Sequence, residues 1–403
     1  MIENSNAMPS KPFTPLRSKT LTDIQKDGLM AVCLYLLSRL VMMIGVMVSL
    51  LPKINWAQVP YMSIIWSQVH DDSGWYHFIA AKGYIAQDTP FFPLYPMLAR
   101  GVHLLSGADL TTAGLMVSNG AYVAALFLLL RLYRHYFGAK AARWSVLLFA
   151  LYPMAIFNSS MYTESLFVML IAATWLSLEA KSYWRAGIFG FLAVLTRNEG
   201  GLLLIPFVYS LWKSYRNNGK LTINEWFPAL LLPLAAAIYS GFLWINFGHP
   251  FLFSSMEKLW GRRFLFPLIT LGNGFFTFPH LFTINSEYGK IYYIIELSSI
   301  IFALTILPLV YRYFNKDWFF FTLMMMWIPL SDPAYGVISI TPVPHYVQDW
   351  FFSFSRFVIP MIPMWGALGK RASELSWRGF LPISFGVGLV YISALINLHY
   401  FIA

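Results

Sequence analysis

The sequence predicts an all-α polytopic membrane protein, and three observations carry that prediction. Hydrophobic residues make up 58% of the 403 positions and charged residues only 11%, against about 25% charged in a soluble domain. Apolar runs of spanning length recur along the whole chain, whose mean hydropathy is +0.59, and a bilayer core needs roughly 20 apolar residues per helix. Basic residues gather on alternate connections between those runs, the bias that orients cytoplasmic loops. Hydrocarbon offers the backbone no water, so each run must satisfy its own hydrogen bonds, which selects helices.

Taken in order, residues 1–28 are polar, with Lys11, Arg17, Lys19 and Lys26, and read as a cytoplasmic N-terminal tail. The run 29–51 is too long for a signal-peptide core and lacks an A-x-A site. It is expected as a retained first helix, with 29–403 forming a single transmembrane domain and no soluble domain before or after it. Helices are expected at about 29–51, 112–131, 143–158, 163–179, 186–196, 200–212, 226–246, 290–311, 318–332, 350–369 and 379–401. The fifth and sixth flank Arg197-Asn198-Glu199-Gly200-Gly201, where helix propensity collapses. With that break as an outer turn, Arg312, Lys316, Lys370, Arg371 and Arg378 fall on the inner side with Arg131, Arg134, Lys181 and Lys213. One continuous helix would invert every later loop, so about 11 segments are expected.

Two connections on the outer side are long, at about 52–111 and 247–289, and the inner ones are short. Functional residues concentrate on loops held by a rigid scaffold, so chemistry is expected on the outer side. Gly74 to Gly83 reads as a short amphipathic helix, and Phe91 to Leu105 as an aromatic, proline-broken interfacial segment. Fifteen Trp and 23 Tyr suit two interfacial belts.

Several function classes drop out. The net charge of +10 sits mostly in short loops between apolar runs, which points to membrane lipids and not to nucleic acid. The single cysteine, Cys33, excludes an intrachain disulfide and any CxxC site and is expected to pack inside the first helix bundle. Eight histidines form no HExxH or HxH spacing, so no zinc site is expected. There is no Walker A motif and no GxSxG, against a nucleotide-driven pump and a serine hydrolase.

Four polar clusters could carry chemistry. His70-Asp71-Asp72-Ser73-Gly74 precedes Trp75-Tyr76 at the start of the amphipathic helix. Asp72 or Ser73 could be an N-cap, or an aspartate here could be a general base at the membrane surface. Asn158 to Ser165 joins helices three and four, where Thr163 could cap and Glu164 suits a first helical turn. Arg197-Asn198-Glu199 is either a solvated tip or intramembrane charge, which is a functional hypothesis by default. Trp260-Gly261-Arg262-Arg263 could touch lipid phosphates or clamp one specific phosphate, because guanidinium binds it bidentately. Arg39 and Arg356 lie within apolar runs, where each could snorkel or pair with a buried acid, Glu296 being a possible partner.

In order along the chain, these clusters resemble the PIG-V-like branch of the GT-C glycosyltransferases, and a prokaryotic member is expected. The resemblance runs from Asp72 to about Leu368: Asp72-Ser73-Gly74-Trp75-Tyr76, Lys82-Gly83-Tyr84, Phe91 to Pro96, Tyr152-Pro153, Tyr162 to Phe167, Leu195 to Gly200, Gly248-His249-Pro250, Trp260-Gly261-Arg262 and Ser353 to Phe357. Asn198 stands where the family usually has Pro.

The resemblance implies a GT-C-type bundle whose two long outer loops frame an active site. It implies inverting transfer of a hexose, mannose, from a polyprenyl-phosphate donor to a lipid or glycan acceptor. Asp72 is the implied general base, with Asp71 its alternate. Arg262 is the first choice for the leaving phosphate, with Arg197 and Arg356 behind it, and Arg263 is a further substrate-binding candidate. Glu164 and Glu199 would orient sugar hydroxyls, and Trp75 and Tyr76 would line the substrate. No cofactor is required, although Asp71, Asp72 and Glu164 offer hard oxygen ligands for a divalent ion. A prokaryotic plasma membrane with an outward-facing site is the expected location, or the ER membrane in a eukaryote. The rival classes are a lipid-linked-sugar flippase, which should place charge near the midplane and often shows internal repeats, and a non-catalytic membrane subunit.

Overall fold

The computed structural model describes residues 21–51, 69, 71–277, 287–338, 345–376 and 378–398. His70, residues 52–68 of the first long loop, 278–286 of the second, and the polar segment 1–20 lie outside the described residues.

The first apolar run forms α1 (Leu21–Leu50). It begins already at Leu21, and Asp27 within it is buried and ion-paired with Arg134. Two helices of the first long loop follow, α2 (Asp72–Lys82) and α3 (Leu94–Ser106). Pro93 precedes α3 and Pro96 sits in its first turn, so the expected proline-broken segment is a continuous helix. Then comes α4 (Leu110–Ala150), where Asp109 caps by accepting from the Thr112 amide at 3.0 Å. The expected helices 112–131 and 143–158 meet inside α4 without an intervening loop. Gly138, at φ 81°, supplies the kink. The second one stops at Ala150, and Pro153 starts a 3₁₀ turn through Asn158 instead.

Next are α5 (Glu164–Glu179), α6 (Tyr183–Thr196), a 3₁₀ turn at Asn198–Leu203, and α7 (Leu204–Asn218). The expected break at Arg197 is therefore present. The chain continues through α8 (Ile223–Trp226), α9 (Leu231–Phe247), α10 (Leu252–Met256), α11 (Pro267–Thr277), α12 (Glu287–Tyr313) and α13 (Lys316–Leu330). An antiparallel hairpin, β1 (Ala334–Ile338) and β2 (His345–Asp349), pairs Ala334 with Asp349. The last elements are α14 (Phe354–Phe357), α15 (Ile362–Glu374) and α16 (Phe380–Asn397).

The single helix expected at 350–369 is not formed. Ser353 takes the left-handed conformation at φ 57°, and Pro360 and Pro363 interrupt the run, so the chain makes a turn, the short α14 and only then α15.

Among the described residues, five helical stretches are long and apolar enough to cross a membrane: Asp23–Leu50, Leu110–Ala150, Ile223–Phe247, Lys290–Tyr313 and Phe380–Asn397. Other expected spans, such as those of α5 and α6, form shorter helices. Large apolar side chains such as Leu36, Ile245 and Val387 point outward, as lipid-facing residues do. Cys33 is among the exposed residues of α1 and is not a packing residue.

The core forms around α4, which packs against α1, α3, α5 and α15. Gly369 of α15 lies so close to Ser145 of α4 that a Cβ would collide with its backbone, the close approach that small residues permit between membrane helices. Tyr133 adds a hydrogen bond to the Ile362 carbonyl at 2.7 Å. These contacts anchor α15 and, through it, the turn carrying Arg356. Among the described residues Arg39 pairs with no acid. It lies over Tyr122 and donates to Ser38 Oγ and the Ala155 carbonyl at 3.0 and 3.2 Å, stapling α1 to the 3₁₀ turn.

Candidate active site

The first turn of α2 opens on a strained residue. Asp71 sits at φ 49°, ψ −112°, its side chain makes no cap hydrogen bond, and its carbonyl accepts from Gly74 at 3.0 Å. A non-glycine residue at positive φ costs stability and clusters at functional sites. Ser353, before Arg356, is another such residue. Behind α2, Tyr76 is buried edge-on against Phe91 and Tyr95, with centroids 5.1 and 5.0 Å away, and Trp75 stacks on Phe91 at 6.0 Å. The aromatic run 91–96 thus forms the bed on which α2 lies.

From Asp72 inward, charges alternate. Asp72 Oδ2 accepts from Arg356 Nη1 at 2.8 Å, and Arg356 Nε lies 3.1 Å from Glu164 Oε1. That same oxygen accepts from Arg197 Nη1 at 3.1 Å, and Arg197 Nη2 donates to Glu199 at 3.1 Å. Exposure falls along the chain, from 25% at the Asp72 side chain to 1% at Glu164. Aromatic faces close it in: Arg356 lies over Tyr162 at 5.3 Å and Phe157 at 5.8 Å, and Arg197 over Phe357 at 5.1 Å. Buried charges persist only when paired and hydrogen-bonded, and here each carboxylate has an arginine.

Local sequence explains how each partner arrives. Arg197 is extended (φ −154°, ψ 146°) because α6 ends at Thr196 and the chain turns back on itself. A Cβ on Gly200 would stand 2.5 Å from the backbone of Ala193 and Val194, so only glycine fits that reversal. Thr163 makes no cap hydrogen bond. Its hydroxyl instead faces Arg197 Nη1 at 3.4 Å and the Tyr76 hydroxyl at 3.5 Å. The capping readings of Asp72, Ser73 and Thr163 are thus not what these side chains do. Arg356 does not pair with Glu296, which binds Ser355 instead.

A second charged group forms around Arg262. Arg262 Nε lies 3.1 Å from Glu257 and its Nη1 3.3 Å from Asp332, with the Phe352 ring 4.8 Å from its guanidinium carbon. The Arg263 amide donates to the Pro333 carbonyl at 3.2 Å, and Arg262 bridges to Ala334, so the second long loop is zipped onto the chain entering β1. The Arg263 side chain is exposed. Burial pushes the Glu257 carboxyl up, Arg262 opposes this, and Asp332, Glu199 and Asp72 add to it. Among the described residues Arg262 thus pairs with Glu257 and Asp332 and is not a member of the Asp72 chain.

Asp71 is exposed at the start of α2. Loss of surrounding water pushes its carboxyl up to about 6, the Asp72 charge adds to the rise, and Arg356 opposes it. Among the described residues no three His, Cys, Asp or Glu side chains gather as ligands of one metal ion. Both arginines engage the same oxygen of Glu164, Oε1, while Oε2 is buried without a hydrogen-bond partner among the described residues.

The structure thus brings the expected site residues Asp72, Tyr76, Glu164, Arg197, Glu199 and Arg356 into one network, with Asp71 and Trp75 at its edge, and leaves Arg262 and Arg263 outside it among the described contacts. Sequence alone did not single out Glu257 and Asp332, which hold Arg262, or the bonds of Glu296 to Ser355. Glu296 carried a signal, since an acid within an apolar run is unusual.

A helical membrane bundle with a charged, partly buried site at one loop-rich end defines a polytopic membrane protein with a built polar centre. Residues 54–221 match the family model Mannosyltransferase (PIG-V), which supports a PIG-V-like mannosyltransferase family and with it a mannosyltransferase-type glycosyltransferase. The matched stretch contains Asp72, Glu164, Arg197 and Glu199, whereas Arg262 and Arg356 lie beyond it. No curated protein matches the chain.

Proposed function

We propose that this chain is an inverting glycosyltransferase that moves mannose from a polyprenyl-phosphate donor to a lipid or glycan acceptor on the outer face of a membrane. One observation carries the reading: Asp72 is the partly exposed end of an otherwise buried acid–arginine chain, oriented by Arg356 at 2.8 Å. A carboxylate so placed can take a proton while its position stays set.

In the proposed step, the acceptor hydroxyl attacks the anomeric carbon and Asp72 accepts its proton. The bond from that carbon to the phosphate oxygen breaks, and the lipid phosphate leaves with the electron pair. Arg262 is assigned to that phosphate. Its partner Asp332 is 32% exposed, so exchanging that contact for phosphate strands no deeply buried charge, whereas Arg197 and Arg356 hold Glu164 in the interior. Glu164 and Glu199 orient sugar hydroxyls, and Trp75 and Tyr76 shape the acceptor side. Exposed Phe264, Phe266 and Phe276 flank the Arg262 segment and offer apolar surface for an isoprenoid tail. No step is routed through a metal.

The test is sugar transfer by purified protein in lipid. Radiolabelled polyprenyl-phosphate mannose is offered with extracted membrane lipids to wild type and to Asp72→Asn. Label in a new product with wild type, falling by about 10²-fold or more with the folded variant, supports the assignment. Equal transfer by both removes Asp72 from the mechanism. Absence of transfer from any polyprenyl-phosphate sugar counts against the donor class.

A further inference from the structure

Arg356 lies in α14, a single helical turn of four residues, too short to be stable by itself. The chain enters it through Ser353 at φ 57° and leaves at Pro360. A guanidinium on such a turn needs external bracing to stay on one carboxylate, and the bracing comes from α12. Glu296, fully buried within that helix, accepts two hydrogen bonds from Ser355, from its amide to Oε2 and its hydroxyl to Oε1, both at 2.7 Å. One turn earlier, the Tyr292 hydroxyl accepts from the Ser353 amide at 3.2 Å and donates to Asp349 Oδ2 at 2.8 Å. Asp349 Oδ1 in turn accepts from the Phe351 amide at 3.1 Å. From the opposite side, the Tyr152 hydroxyl donates to the Ser355 carbonyl at 2.9 Å. Ser355, the residue immediately before Arg356, is therefore held at its amide, hydroxyl and carbonyl.

We propose that Glu296, assisted by Tyr292, is the positioning residue that sets Arg356 against Asp72 in the transfer reaction. It acts through Ser355 and touches neither substrate nor Arg356. A Glu296 used only to neutralise Arg356 would be expected to reach the guanidinium, yet both of its oxygens are turned to Ser355. The inference rests on the reading of Asp72 and Arg356 as the transfer site.

Glutamine at position 296 can preserve the brace, accepting the Ser355 amide through its carbonyl and donating to the Ser355 hydroxyl. Alanine removes it. Amide hydrogen exchange over residues 350–359 reports the brace without reference to activity, and kcat and KM for the sugar donor report its consequence. The expected result for Glu296→Ala is faster exchange in that segment, a kcat lower by about 10- to 100-fold, the scale of a roughly 1 Å misplacement, and a KM within about twofold. Glu296→Gln should keep native exchange and stay within about threefold of wild-type kcat. The double variant Glu296→Ala, Arg356→Gln should be no slower than Arg356→Gln alone, because both changes remove one unit.

Unchanged exchange in Glu296→Ala overturns the brace. Faster exchange with wild-type kcat, or losses that multiply in the double variant, overturns its role in positioning Arg356. Wild-type transfer by Arg356→Gln would fall on the site reading itself, and is told apart because Glu296→Ala would still speed exchange.

Discussion

Arg356 and Asp72 meet at 2.8 Å although 284 residues separate them. The pair joins a surface helix of the first long loop to a turn between the hairpin and α15, and the same guanidinium reaches Glu164 in the interior. Removing Arg356 would leave Glu164 with a single arginine and Asp72 with none. Losing one partner of a buried pair strands the other and costs about 3–5 kcal/mol. Arg356→Gln should therefore melt well below wild type in detergent. Adding Glu164→Gln should recover part of the loss, because the stranded charge goes with it. Additive losses in the double variant would mean that the two residues are not energetically coupled.

Asp71 makes a prediction about pH. Its carboxyl is raised to about 6 by loss of water and by Asp72, so it is protonated below that pH and charged above it. Once charged, it makes the neighbouring Asp72 a better proton acceptor. Transfer by wild type should rise with pH through about 6. In Asp71→Asn this inflection should vanish, leaving a lower rate at pH 7.5 by a few-fold. Persistence of the inflection in the variant would assign it to another group.

Much of this arrangement was legible because membrane sequences separate their polar groups so sharply. Asp72, Glu164 and Arg197 stand out as charges against apolar runs, and the break after Thr196 follows from the local loss of helix propensity. The pairing was not legible. Arg356 had several acids within reach of any folded arrangement, and only tertiary packing selects Asp72 and Glu164 over Glu296. The boundaries missed were those set by backbone exceptions. Gly138 kinks α4 without a loop, and Ser353 with two prolines replaces a long helix by a turn. Hydropathy averages over such positions, so the apolar character of both segments was read correctly and their shape was not.

Asp88 tests stability away from the proposed chemistry. It lies in a turn between α2 and α3, buried, with Oδ1 accepting from the Ile85 amide at 3.0 Å and Oδ2 without a hydrogen-bond partner among the described residues. Burial pushes its carboxyl up to about 6, against the Ile85 hydrogen bond. For an acid whose folded value is raised, the contribution to stability is fully present below the unfolded value and is lost as pH rises through the folded one. Asp88→Asn keeps the acceptor for Ile85 and removes the charge. It should melt above wild type at pH 7.5, and the gap should close as pH falls below about 6. A gap independent of pH would mean that charge burial is not the cause.

Gly200 tests whether the Arg197 reversal is as tight as the geometry requires. A Cβ there would stand 2.5 Å from Ala193 and Val194 backbone atoms, and backbone cannot swing aside as a flexible side chain can. Gly200→Ala must therefore move the 3₁₀ turn away from the end of α6. Overpacking of this kind costs about 1–3 kcal/mol, and Arg197 and Glu199, on either side of Asn198, would be carried with the shift. The neighbouring Gly201 has open space at the same position, so Gly201→Ala is the matched control. Gly200→Ala should lower both the melting temperature and transfer, the latter by about 10-fold or more if Arg197 is displaced by roughly 1 Å, while Gly201→Ala stays near wild type. If the two variants behave alike, the reversal has room to spare, and the close packing at Gly200 does not set the position of Arg197.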